Sequence, residues 1–292
     1  MSSSNARFQE MMSTPQRRKR RLRLYLVRHG ESEANEQGVF AGQLDSPLTE
    51  QGIKDAKSLG EKSEFLILEP PTTSETSTPD SNERGQHPHR FDIIYSSDLI
   101  RAHDTCKLIL EGMPTQQQTN LDSQESSNVR LDVRLRERSY GTLQGMPWSS
   151  DRNETDKLWR ETHDEDDLPP IFETDDDIWI RVKEFLSDVI RDELYSEDKI
   201  ATKHILITSH GGVLRQILMR LVGVEKLKKV GAEFDTKRKN RLITPNTSLS
   251  ILDLSENDGT SDDSFPLEGI QAEMILFANT DHLKDGVRLH DD

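Results

Sequence analysis

Leu22-Arg23-Leu24-Tyr25-Leu26-Val27-Arg28-His29-Gly30-Glu31 is the stretch on which the fold turns. Its apolar residues, from Leu22 to Val27, suit a short strand buried on both faces, and the run stops at once on Arg28-His29-Gly30. The same pattern of an apolar run closing on polar chemistry recurs three times. Phe91 to Tyr95 leads into Ser96-Ser97-Asp98 and Arg101, Val129 to Leu135 into Arg136-Glu137-Arg138, and His204 to Ile207 into Ser209-His210-Gly211. Helical spacing fills the intervals. Thr49 caps a helix bearing Ile53, Ala56 and Leu59, and Ser97 or Asp98 caps one bearing Ile100, Cys106, Leu108 and Ile109. Ile178 to Tyr195 and Val213 to Val222 supply two more. Thr247 to Leu254 and Glu273 to Ala278 close as strands. Strands alternating with helices predict an α/β fold, a three-layer α/β/α sandwich around a mainly parallel sheet.

Outside that core the chain is polar. Hydrophobic residues make up 32% of its 292 residues, and with the 16 glycines added the apolar share stays well below the roughly 45–50% of an ordinary globular domain. The deficit falls on a basic, disordered tail over 1–21, on flexible insertions near 70–90, 114–128 and 255–266, and on a C-terminal tail over 285–292, leaving one domain over 22–284. Glu161 to Asp177 is strongly acidic and interrupted by Pro169-Pro170. A net charge of −15 argues against a nucleic-acid or anionic-membrane partner, so an anionic substrate must be met by a local basic pocket. The lone Cys106 excludes an internal disulfide and a thiolate zinc site. No apolar run approaches the ~18 residues of a membrane span. The tail lacks the apolar core of a secretory signal, so the expectation is a cytoplasmic protein, with Arg17 to Arg23 as a basic cluster suited to nuclear import.

In open α/β sheets the site lies beyond the carboxyl ends of the strands. Here four such ends bring two histidines, several arginines and one glutamate toward a single rim. One histidine after a strand is usually a surface residue, but four ends of this kind form a constellation. Histidine pairs often bind zinc; arginines beside them repel a divalent cation and attract phosphate, so no metal and no cofactor is expected.

These residues stand in motifs. Arg28-His29-Gly30 is followed by Glu31-Ser32-Glu33-Ala34-Asn35, then by Gly42-Gln43-Leu44-Asp45-Ser46-Pro47-Leu48-Thr49-Glu50-Gln51-Gly52. Ser96 to Ala102, Leu135 to Gly141 and Ser209 to Gly212 complete the set. In this order and over nearly the whole ordered chain, they resemble the histidine phosphatase superfamily, which includes phosphoglycerate mutases and fructose-2,6-bisphosphatases. The resemblance implies a phosphoglycerate mutase-like fold, with His29 as nucleophile and Glu137 as proton donor and then base. It implies Arg28, Asn35, Gly42, Gln43, Arg101, Arg138, Tyr140, His210 and Gly211 as substrate-binding positions. Cations around His29 keep its ring neutral, and a doubly charged phosphoryl group would make Glu137 an acid mainly in the complex.

Within the superfamily the residues favour a phosphatase for small phosphorylated metabolites. Mutases carry a Lys after L-x-G and a W-R-R segment, whereas this chain has Leu143-Gln144-Gly145-Met146-Pro147-Trp148 and Trp159-Arg160-Glu161. Thr244-Pro245-Asn246-Thr247 and Asp281-His282-Leu283 are similar to TIGAR-type fructose-2,6-bisphosphatases, while Ile171-Phe172-Glu173-Thr174-Asp175 departs from their P-x-G-E-S/T stretch. A phosphoglycerate mutase, and a weakly catalytic relative that serves as a protein-binding module, are the alternatives. The motifs leave protein partners open.

Overall fold

In a computed structural model, which describes residues 20–62, 91–113, 129–148, 172–195, 202–236, 241–257 and 267–283, the opening apolar run forms strand β1 over Arg21–Arg28. It starts one residue before the expected Leu22, because Arg21 already pairs with Thr202 on one side and Ser255 on the other. The expected insertions at 70–90 and 114–128, residues 258–266 of the third, Arg17 to Lys19 and the tail beyond 284 lie outside the described residues.

Strands β2 (Ile93–Ser96), β3 (Arg130–Leu131), β4 (Thr202–Ser209), β7 (Leu249–Glu256) and β8 (Ile270–Asn279) join β1 in a sheet of order β3-β2-β4-β1-β7-β8, while β5 (Phe234–Asp235) and β6 (Arg241–Leu242) form a separate hairpin. β1, β2, β3 and β4 are mutually parallel, and β7 pairs antiparallel with both β1 and β8. The sheet is therefore parallel apart from one reversed strand. Val129 to Leu135 does not form a single strand as its apolar pattern suggested. The Asp132 side chain accepts from Arg134 N at 2.9 Å and turns Val133–Leu135 into one 3-10 turn, a local bond that competes with the ladder.

The helices are α1 (Glu33–Gln37), α2 (Glu50–Glu61), α3 (Ile100–Gly112), α4 (Asp175–Val189, extended by a π turn over Ile190–Leu194), α5 (Gly211–Leu221) and α6 (Val224–Lys229). Thr49 caps α2 as expected, accepting from Gly52 N. Neither Ser97 nor Asp98 caps α3. Leu99, which has no polar side-chain atom, precedes that helix, and Asp98 is bound instead by Arg136 at 2.8 and 2.5 Å.

The period-two alternation of β1 separates two cores. Leu22, Leu24 and Leu26 join Ile205, Ile207, Leu252 and Leu254 against Ile178, Val182 and Leu186 of α4 and Val213 and Ile217 of α5. Tyr25 and Val27 join Leu206 and Ile251 against Leu59 of α2 and Cys106 and Ile109 of α3. Each such buried side chain contributes roughly 1.5–3 kcal/mol, and helices on both faces make the expected three-layer sandwich. Arg23 and Asp253, opposite each other on β1 and β7, form a buried bidentate pair at 2.8 and 2.9 Å. A one-residue slip would strand both charges, so the pair fixes this register. Among the described residues no helix is long and apolar enough to cross a membrane.

Candidate active site

His29 leaves the carboxyl end of β1 fully buried, and its hydrogen bonds determine its chemistry. Nδ1 lies 2.7 Å from Gly30 O. A carbonyl can only accept, so Nδ1 carries the proton and Nε2 keeps its lone pair. Nε2 faces Arg101 Nε at 3.3 Å. The backbone beneath is held just as closely. Gly30 N donates to Thr105 Oγ1 at 2.9 Å, and a Cβ on Gly30 would lie 2.8 Å from Gly52 O, so only glycine lets β1 turn against the start of α2.

Arg101 is 0% exposed. Besides Nε it donates Nη1 to Leu44 O at 2.9 Å and Nη2 to Gly42 O at 2.7 Å, which ties the 42–44 loop to His29. Arg28 donates Nη1 to Thr244 O at 2.7 Å, and a Cβ on Gly211 would lie 3.4 Å from Arg28 Nε. The His210 ring is 5.0 Å from that of His29, centroid to centroid, and its Nε2 is 2.9 Å from Ser97 Oγ. Strand ends remote in sequence therefore meet around one imidazole.

Glu137, 1% exposed, sits beside them with both carboxylate oxygens bonded to backbone. Arg138 N donates to Oε1 at 2.7 Å and Gly212 N to Oε2 at 3.0 Å. Its own carbonyl accepts from Gln43 Nε2 at 3.1 Å and Arg181 Nη2 at 3.2 Å. The half-buried Tyr140 stands between Phe40 and Phe172, with ring centroids at 4.9 and 6.4 Å. Asn35 Oδ1 accepts from Ser32 N at 3.1 Å and from Asn246 Nδ2 at 3.3 Å.

Two arginines take other positions than the sequence suggested. The Arg136 guanidinium is bound to Asp98, which that contact holds below the usual carboxylate range. Arg138, expected among the substrate-binding side chains, has its guanidinium turned toward Glu173 O and the Asp175 carboxylate, while its backbone N–H donates to Glu137 Oε1. Among the described residues no group of three or more His, Cys, Asp or Glu is placed to hold a metal ion.

A family model described as the histidine phosphatase superfamily (branch 1) matches residues 24–75 and 82–263. The chain belongs to this superfamily. It is thus an enzyme acting on phosphate esters. A histidine phosphatase relative, the phosphoglycerate mutase of Schizosaccharomyces pombe, is 33% identical over 205 residues, covering 69% of this chain and 80% of that protein. The 2,3-bisphosphoglycerate-dependent phosphoglycerate mutase of Neisseria meningitidis is 28% identical over 240 residues, covering 74% and 91%. In fold, a mycobacterial glucosyl-3-phosphoglycerate phosphatase superposes with a TM-score of 0.54 at 22% identity, covering 88% of this chain and 98% of that one. A phosphoglycerate mutase from Bacillus anthracis gives 0.55 at 17% identity, covering 91% and 96%.

Gln144 Oε1 accepts from Gln43 N at 2.9 Å and Tyr140 N at 3.3 Å, and so joins two predicted positions. Arg215, one turn beyond Gly211 on α5, is 8% exposed and draws no hydrogen bond or ion pair among the described residues. Burial pulls its guanidinium down to about 10 and Arg241 repels it, while Glu137, Tyr140 and Asp175 oppose the shift. The sequence signal was the three- and four-residue spacing that puts Gly211, Gly212 and Arg215 on one helix face.

Proposed function

We propose that this enzyme is a phosphatase of small phosphorylated metabolites that works through a phosphohistidine on His29. The observation that carries the reading is the fixed tautomer, since Nδ1–H on Gly30 O leaves the Nε2 lone pair for phosphorus. Nε2 attacks, the bond from phosphorus to the ester oxygen breaks, and Glu137 gives its proton to the leaving oxygen. Arg28 and Arg101 take up the charge spread over the equatorial oxygens. Water then attacks the phosphohistidine and Glu137 takes its proton. The phosphorus–nitrogen bond breaks, releasing inorganic phosphate and neutral His29.

Arg215 narrows the substrate. A buried guanidinium with another arginine beside it and no hydrogen bond among the described residues favours a second anionic group next to the reacting phosphoryl. With the likeness of Thr244 to Thr247 and Asp281 to Leu283 to TIGAR-type enzymes, this supports a sugar bisphosphate such as fructose 2,6-bisphosphate, or an acid phosphate. A mutase reading is favoured by the names of the two relatives. Against it stand Met146-Pro147-Trp148, without a Lys, after Leu143-Gln144-Gly145, where mutases carry one, and the tying of Arg138 to Asp175.

Wild type and His29→Ala incubated with fructose 2,6-bisphosphate, 2,3-bisphosphoglycerate and 3-phosphoglycerate separate the readings. Phosphate released by wild type alone is expected. Isomerisation outrunning release would assign a mutase, and no turnover of any ester would return the protein-binding alternative.

A further inference from the structure

Asn246 and Thr247, in the segment joining β6 to β7, touch the site at its least expected point. Because β7 runs antiparallel to β1, its beginning lies beside the carboxyl end of β1. There the two chains are laced together. Arg28 N donates to Ser248 O at 3.2 Å, and Thr247 N donates to Arg28 O and His29 O at 3.1 and 3.2 Å. Asn246 Nδ2 donates to His29 O at 3.0 Å and to Asn35 Oδ1 at 3.3 Å.

The orientation of both amides follows from their partners. His29 O can only accept, so the Asn246 atom facing it is Nδ2. Ser32 N can only donate, so the Asn35 atom facing it is Oδ1, and the Asn35 NH2 group lies at the other end of that amide. Asn246 thus holds the nucleophile's carbonyl and the acceptor oxygen of Asn35 with one NH2 group.

The arrangement is costly. Thr247 is fully buried with φ 55°, a region that a β-branched side chain rarely enters. Asn246 Oδ1 is buried with no hydrogen-bond partner among the described residues. Strain and an unsatisfied buried acceptor persist in one place where the surroundings over-determine them, as at functional sites.

The geometry points to Asn246 as a positioning residue that sets the His29 main chain and the direction of the Asn35 amide together, with the strained Thr247 holding it in place. This rests on the proposed role of His29. Turnover of p-nitrophenyl phosphate and of the preferred bisphosphate tests it, with Asn246→Ala, Asn246→Asp, Asn35→Ala and the Asn246→Ala/Asn35→Ala double variant. Asp is nearly isosteric but sets an oxygen against two carbonyl oxygens. If the donor matters, Asn246→Asp loses more kcat than Asn246→Ala, which itself loses about 10–100-fold, the scale of a 1 Å misplacement. The double variant then loses less than the product of the single losses.

A purely packing role would rank Asp nearest wild type and make the losses multiply, and either result overturns the inference while leaving the function standing. Full turnover by His29→Ala would overturn both.

Discussion

Gly212 and Glu137 meet so closely that no methyl group fits between them: a Cβ on Gly212 would lie 2.0 Å from Glu137 Oε1. The contact is what lets the carboxylate rest on the Gly212 N–H in the first turn of α5, where the helix dipole favours negative charge. Gly212→Ala should push the carboxylate away, costing about tenfold or more in kcat but only a few degrees in Tm. Steady-state kinetics beside a melting curve check this, and an unchanged kcat would show that Glu137 need not sit there.

Glu137→Gln keeps the shape and one of the two backbone N–H contacts, sets its NH2 against the other, and cannot shuttle a proton. On an alkyl phosphate it should lose ~10²–10⁴-fold in turnover. On p-nitrophenyl phosphate, whose leaving group needs little protonation, the first step survives while water attack on the phosphohistidine slows. Stopped-flow absorbance should then record a burst of about one equivalent of nitrophenol per enzyme, followed by slow turnover. Equal slowing on both esters without a burst would remove Glu137 as the proton donor to the leaving oxygen.

Arg215→Met removes the charge and keeps most of the volume. KM for a substrate with a second anionic group should rise about 10–100-fold, while KM for p-nitrophenyl phosphate moves less than about threefold. Parallel changes for both substrates would place Arg215 with the phosphoryl group instead.

His282, 2% exposed, has neither ring nitrogen bonded among the described residues, and burial, with Lys62 nearby, pushes it down to about 4. The folded state keeps it neutral while the unfolded chain protonates below the ordinary 6.5. Its stabilisation is therefore whole above about pH 6.5 and is lost as pH falls toward 4, up to roughly 3 kcal/mol. Denaturant midpoints from pH 7.5 to 4 should fall less steeply in His282→Leu than in wild type. Identical slopes would exclude the histidine as the source.

The sheet and the rim were legible because each apolar run ends abruptly in chemistry that a buried strand would not otherwise carry. His29, Glu137, Arg101 and His210 were found on that ground. What stayed hidden depends on partners remote in sequence. Arg138 reads as a rim cation until Asp175, on α4, takes its guanidinium. Arg215 reads as an ordinary helical arginine until Glu137, Asp175 and Arg241 gather about it. Asp132 halts β3 by a bond to its own neighbour, which the apolar pattern of Val129 to Leu135 cannot register.

The central place of β1 bears on how the chain is made. The strand that leads into His29 is the first of the sheet to be synthesised, yet its two neighbours, β4 and β7, follow more than 170 residues later. At ~5–20 residues per second, roughly ten seconds or more pass before β4 follows it out of the ribosome. Until then Leu22 to Val27 offers two unpaired edges to any other strand. The candidate site is thus completed only after β4 and β7 have emerged, and that delay is a window in which aggregation competes with enzyme.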